Sequence, residues 1–259
     1  MTSVIVFSNF KGGVGKTTST VQIGAIAAHQ GYRVLLIDND AQGDLTGSLI
    51  EPADIPFSIS GGSHTDANSA TIKLYLNGSN IAPYRVRTYE NGHIDIFGSN
   101  DSLNRISTSE SSEPIIVFRD TIKAIKDARL YDFILIDNPP QWKDTCICSV
   151  IASDYIFIPC TAEDKSIINI KKHMTQLHIT KERVGHSAKL LGVGIVSRYG
   201  GKTKEYDENY EIVKKFCGNK LFETQIPKTV AVETSSKKRI PLIDILPKHK
   251  VTEAYSRMF

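Results

Sequence analysis

Short apolar runs alternate along this chain with longer stretches in which apolar residues return every three or four positions. Ser3-Val4-Ile5-Val6-Phe7, Arg33-Val34-Leu35-Leu36-Ile37-Asp38 and Tyr131-Asp132-Phe133-Ile134-Leu135-Ile136-Asp137 are runs of the first kind. A strand covered on both faces needs near-continuous apolar character, so each run predicts a buried parallel strand. Residues 18–30 carry Val21, Ile23, Ile26 and Ala27 at helical spacing, with Gly31 in the position of a C-terminal cap. Residues 115–130 predict an amphipathic helix ending in Lys123, Lys126 and Arg129, where basic groups complement the helix dipole.

The alternation continues with strands expected at 93–98, 155–159, 190–197 and 221–225. Helices are expected at 166–180, at 206–216 and from 251 onward. Between 51 and 92 the pattern weakens under Pro52, Pro56, Gly61, Gly62, Asn77-Gly78 and Asn91-Gly92, leaving one short helix expected around 71–76. Elements in this order predict an α/β fold: a single-domain, mostly parallel twisted sheet with helices on both faces.

The first two elements enclose the sharpest chemistry. Lys11-Gly12-Gly13-Val14-Gly15-Lys16-Thr17-Thr18 follows a strand and leads into a helix. Glycines let successive N–H groups converge on an anion, and the helix N-terminus adds donors and the positive end of its dipole. Polyphosphate fits such a loop, with Lys16 reaching the β- and γ-phosphates and the Thr17 hydroxyl placed to ligate Mg2+. In an open parallel sheet ligands sit beyond the carboxyl ends of strands, which singles out Asp38, Asp40 and Asp137.

Composition changes this picture in three places. The 259 residues are 41% hydrophobic, enough to bury a sizeable core, and no apolar run approaches the length of a membrane span, so a cytoplasmic protein is expected. Cys146, Cys148, Cys160 and Cys217 lack metal-ligand spacing and are expected as buried thiols. Residues 1–164 hold 12 Lys/Arg against 19 Asp/Glu, a net of −7, whereas residues 165–259 hold 19 against 9, a net of +10. A basic C-terminal third on a phosphate-binding core points to a polyanionic partner.

The string K-G-G-V-G-K-T-T departs from the general G-x-x-x-x-G-K-S/T loop, since Phe10 stands where glycine is usual and Lys11 is added. It resembles the deviant Walker A box of the ParA/MinD family of P-loop ATPases. Further matches are F-I-L-I-D-N-P-P, similar to a Walker B box, and 38–46, similar to the D-x-D-P-Q-x-N box with Ala41 for proline and Asp44 for asparagine. The segments 152–160 and 191–197, Gln225-Ile226-Pro227, Ile240-Pro241 and Ala254-Tyr255 also match, leaving 51–92 as the divergent part of one ATPase domain spanning 1–259.

This resemblance implies ATP and Mg2+ as cofactors, with residues 11–18 on the phosphates and Lys11 reaching a partner subunit's ATP. Lys16 and Lys11 would neutralise developing charge, Asp40 would orient the attacking water, and Thr17, Asp38 and Asp137 would serve the metal. Ser197, Arg198 and Pro227 match positions that flank the adenine. The ParA branch binds nonspecific double-stranded DNA through its C-terminal third, where Lys202, Lys204, Lys228, Lys237, Lys238 and Arg239 stand here; Ala231 replaces one familiar basic position. The implied protein is a short ParA-type DNA partition ATPase without an N-terminal helix-turn-helix domain, a homodimer on ATP, stimulated by a ParB-like centromere-binding partner. It would associate with the nucleoid and not with membrane. A MinD-like positioning ATPase at a membrane surface and a metal-cluster assembly or carrier ATPase using Cys146 and Cys148 are the alternatives.

Overall fold

A computed structural model of the chain describes residues 1–51, 69–76, 81–163, 165–197 and 203–259. The first apolar run forms β1 (Ser3–Phe7), followed by α1 (Lys16–His29), β2 (Arg33–Asp38) and the one-turn α2 (Asp44–Gly47). After a 3-10 turn at Thr71–Tyr75 come β3 (Tyr84–Thr88), β4 (His93–Phe97), α3 (Glu113–Asp127), β5 (Phe133–Asp137) and α4 (Asp144–Ala152). Then β6 (Tyr155–Cys160), α5 (Ser166–Val184), β7 (Lys189–Ser197), α6 (Lys204–Cys217) and β8 (Leu221–Pro227) repeat the alternation. The last described elements are α7 (Val230–Lys238), α8 (Leu242–Ile245) and α9 (Lys250–Met258).

These strands form one eight-stranded sheet in the order β3-β4-β2-β5-β1-β6-β7-β8, parallel except for the β3–β4 pair. Its faces are set by the two-residue period of the strands. Val4, Val6, Leu35, Ile37, Ile134 and Ile136 pack beneath α3, α4, α5 and α6, while Phe7, Val34, Leu36 and Leu135 pack against α1. Helix α9 covers the second face near β8 through Val251, Ala254 and Tyr255. The α/β sheet with helices on both faces is as the alternation predicts.

Several boundaries and elements differ from the sequence expectation. Helix α3 starts at Glu113 because Pro114 opens its first turn, and it stops at Asp127; Arg129 takes a left-handed φ of 54°. Strand β3 lies in the weakly patterned segment: its Arg85 and Arg87 are drawn into ion pairs with Asp95 and Asp244 on an edge strand, which masks the apolar alternation. Helix α4 is absent from the expectation because Asp144-Thr145-Cys146-Ile147-Cys148-Ser149-Val150 is apolar on most sides and has no helical stripe. Helix α7 is missed for the opposite reason, being polar along most of its length.

Candidate functional site

Register builds the site. Phe7 of β1 and Asp38 of β2 both pair with Asp137 of β5, so the loop leaving β1 emerges beside two carboxylates at the carboxyl edge of the sheet. Gly13 and Gly15 take left-handed φ of +70° and +88°, and a Cβ on Gly15 would stand 3.0 Å from Val196 Cγ2. Only glycine satisfies both the backbone and the space at position 15. The loop and the N-terminus of α1 line a cavity of about 310 Å3 with Lys16, Thr17, Asp40, Gln42, Asp44 and Asn138.

Lys16 is buried and its Nζ donates to the Lys11 carbonyl at 3.2 Å. Burial pushes its ammonium pKa down, opposed by Asp137 and Asp40. Thr17 Oγ1 donates to Asp137 Oδ2 at 2.6 Å, while Asp137 Oδ1 is buried with no hydrogen-bond partner among the described residues. Burial holds the Asp137 carboxyl well above the usual range. An orphaned carboxylate oxygen beside a hydroxyl at a phosphate loop fits a hard cation. Mg2+ takes few protein oxygens and completes its octahedron with water and phosphate. Thr17 and Asp137 are the residues that would hold it. Among the described residues no three His, Cys, Asp or Glu side chains converge as a protein-only cage.

The acidic box divides its work. Asp38 is wholly buried and its Oδ2 accepts from Thr46 N at 2.8 Å and Thr46 Oγ1 at 2.7 Å. Burial pushes its carboxyl up to about 7 despite these bonds. It closes the 38–46 loop and is not among the residues lining the cavity, whereas Asp40 is. Asp40 Oδ1 accepts from Gln42 N at 3.2 Å, and burial raises its carboxyl as well.

A second cavity of about 240 Å3 shares Gly13, Gly15 and Thr18 with the first and adds Val196, Pro227, Lys228 and Tyr255. Pro227 thus lines this second cavity, and Ser197 pairs with it in register. Lys228 lines this cavity. Arg198 and Lys202 fall outside the described residues.

Lys11 points elsewhere. Its Nζ forms an ion pair with Glu163 and lies 3.5 Å from Thr161 Oγ1, and Lys11 is not among the residues lining either cavity. Glu163 carries no motif that would single it out in the sequence. Phe10, the residue in place of the usual glycine, packs edge-on to His173 at 5.3 Å and tilted against Trp142 at 5.7 Å. His173 is buried edge-on against both rings, neither ring nitrogen has a hydrogen-bond partner among the described residues, and burial, then Lys16, pushes its imidazole down to about 3.

The basic candidates are spread over separate elements. Lys204 is the first residue of α6; Thr203 caps that helix through Tyr206 N, and Lys204 itself is exposed, 3.9 Å from Glu208. Lys237 and Lys238 are exposed in the last turn of α7. Arg239 takes the left-handed C-cap of α7 and pairs with Glu51 at 2.9 Å. Cys146 and Cys148 are two residues apart on α4, which turns them to different sides, and burial pushes both thiols up to about 12. That arrangement offers no shared cluster ligand. Among the described residues no helix is long and apolar enough to cross a membrane.

A family model described as AAA domain matches residues 2–190. The chain is 28% identical over 259 residues to the sporulation initiation inhibitor protein Soj of Bacillus subtilis (strain 168), covering 98% of this chain and 96% of that protein. It is 27% identical over 235 residues to the chromosome partitioning protein ParA of Caulobacter vibrioides (strain NA1000 / CB15N), covering 88% and 82%. An ATP complex of a Cyanothece McdA variant shares the fold with a TM-score of 0.81 at 19% identity, over 99% of this chain and 94% of that one. With the match spanning most of the chain and the nucleotide loop intact, the chain belongs to the AAA domain family, in its ParA/MinD group of P-loop ATPases, and is an ATPase.

Proposed function

We propose that the chain is a ParA-type DNA partition ATPase in which Mg2+ and ATP close a sandwich dimer over nonspecific double-stranded DNA. Hydrolysis, stimulated by a ParB-like centromere-binding partner, then releases it. The observation that carries this proposal is the position of Lys11. A lysine at the mouth of a phosphate loop that turns from its own cavity to Glu163 is available to a nucleotide bound by a second copy. The name of the Caulobacter relative, a chromosome partitioning protein, and the net +10 of residues 165–259 support the DNA side.

The chemistry is attack of water in line on the γ-phosphorus with release of ADP and phosphate. Asp40 lines the cavity and accepts a hydrogen bond from the water, while Lys16 and the partner copy's equivalent of Lys11 lie against the phosphates. When bound, Mg2+ neutralises charge on the β- and γ-oxygens, held by Thr17 and Asp137. Asp38 acts through the loop it closes. Residues 1–259 work as one ATPase domain, in the cytoplasm and on the nucleoid when ATP is bound.

The test is duplex DNA binding with ATP, with ADP and without nucleotide. ATP alone should support it, without sequence preference and with affinity falling steeply as salt rises, because each neutralised phosphate releases condensed counterion. Charge reversal at Lys204, Lys237 and Lys238 should weaken binding to unrelated sequences alike and leave ATP-dependent dimerisation in place. Equal binding in ADP would overturn the proposal.

A further inference from the structure

Asn138 follows Asp137 at the end of β5, is buried, and lines the phosphate cavity. Its backbone is pinned by the N–H that donates to the Phe7 carbonyl at 3.2 Å. Its side chain is aimed by neighbours from three other segments. Oδ1 accepts from Asn39 Nδ2 and from Ser149 Oγ, each at 2.9 Å, and Asn39 Oδ1 in turn accepts from Tyr75 Oη at 2.6 Å.

The direction of this chain of bonds is not arbitrary. Asn39 Nδ2 also donates to the Thr145 carbonyl at 2.9 Å, and a carbonyl only accepts. The Asn39 amide is thereby fixed, so the atom of Asn138 facing it must be the oxygen. Asn138 Nδ2 is the remaining terminus, and it is buried with no hydrogen-bond partner among the described residues.

A buried amide donor left unmet is unfavourable, and on a residue that lines the phosphate cavity it points to an acceptor supplied by a ligand. A cation does not suit it, since an amide NH2 has no lone pair to offer. The Asn39 donor into Oδ1, joined by a Ser149 hydroxyl shared with the Cys146 carbonyl, polarises the amide and makes Nδ2 a better donor. We propose that Asn138 is a catalytic residue of ATP hydrolysis whose carboxamide Nδ2 donates to the terminal phosphoryl group of the bound triphosphate. Fixed in direction before ATP arrives, it requires no reorientation as charge develops on those oxygens.

Two variants test this. Asn138→Ala removes the whole carboxamide and leaves one N–H of Asn39 Nδ2 without its acceptor, while the other keeps the Thr145 carbonyl and Ser149 Oγ keeps the Cys146 carbonyl at 2.9 Å. Asn138→Asp keeps an acceptor for Asn39 and Ser149, loses the donor and adds a negative charge to the cavity wall. In the full-length protein with Mg2+, single-turnover ATP hydrolysis should fall on the order of 100-fold or more in both, as for loss of one preorganised donor, with the ADP affinity of Asn138→Ala within about twofold of wild type. Turnover within about tenfold of wild type in either variant, or a loss of ADP affinity in Asn138→Ala as large as its loss of turnover, would overturn the assignment.

Discussion

The two lysines of the phosphate loop stand five residues apart and live in different environments. Lys16 is buried, its ammonium folded under the loop and facing Asp137 and Asp40; Lys11 is half-exposed and held by Glu163 outside the cavity. The inner half of the site is assembled within one chain, with Thr17, Asp137 and the loop backbone already in contact. The outer half is a charge held in reserve against a counter-charge. One motif thus contains a lysine packed against its own phosphate cavity and a second that the same fold turns away from it.

Lys16→Ala should break the inner half and have the largest effect. It removes the charge aimed at the β- and γ-phosphates, and ATP affinity by calorimetry should fall on the order of 100-fold. Affinity within about threefold of wild type would contradict the inner assignment. Lys11→Ala should separate the halves: ATP affinity stays within about threefold while ATP-dependent dimerisation, followed by light scattering, is lost.

Glu163→Gln sharpens the same contrast from the other side. The Lys11–Glu163 pair is partly solvent-exposed, with side chains 34% and 24% accessible, so its net worth is at most about 1 kcal/mol. Releasing Lys11 should lower the ATP concentration for half-maximal dimerisation by about twofold to fivefold, and an unchanged or raised midpoint would count against a restraining role.

A separate effect, on stability, concerns the aromatic packing at Phe10. His173 is neutral against Phe10 and Trp142, with its imidazole at about 3 in the fold against 6.5 ordinarily. As pH falls through 6.5 the unfolded chain takes up this proton and the folded chain does not. The site's stability is therefore complete above 6.5 and is lost toward acid, by about 1.4 kcal/mol per unit down to the folded value. Urea unfolding at pH 7 and pH 5 should show His173→Phe losing less stability over that interval than wild type. An equal loss would place the sensitivity elsewhere.

The strand, glycine loop and helix of residues 3–29 were legible in the sequence because their chemistry is local: contiguous residues supply the anion cradle, and its conformation follows from their spacing. Asp137 was legible for the same reason, as the polar end of an apolar run. Strand β3 and helices α4 and α7 were not, since edge charges, all-round apolarity and all-round polarity each erase the periodicity that marks an element.

The sequence by itself therefore determined the parallel α/β sheet, the phosphate loop and the acidic residues at strand ends. Tertiary structure alone decided which residues meet. Thr17 and Asp137 are 120 positions apart, Asn39 and Asn138 are 99 apart, and Lys11 and Glu163 are 152 apart. Glu163 belongs to no motif, Asn138 stands in the F-I-L-I-D-N-P-P string without being singled out there, and nothing in the 38–46 string shows that Thr46 bonds to the Asp38 carboxylate. A hydrogen bond or ion pair depends on distance and direction, and across such separations both are set by strand register and packing.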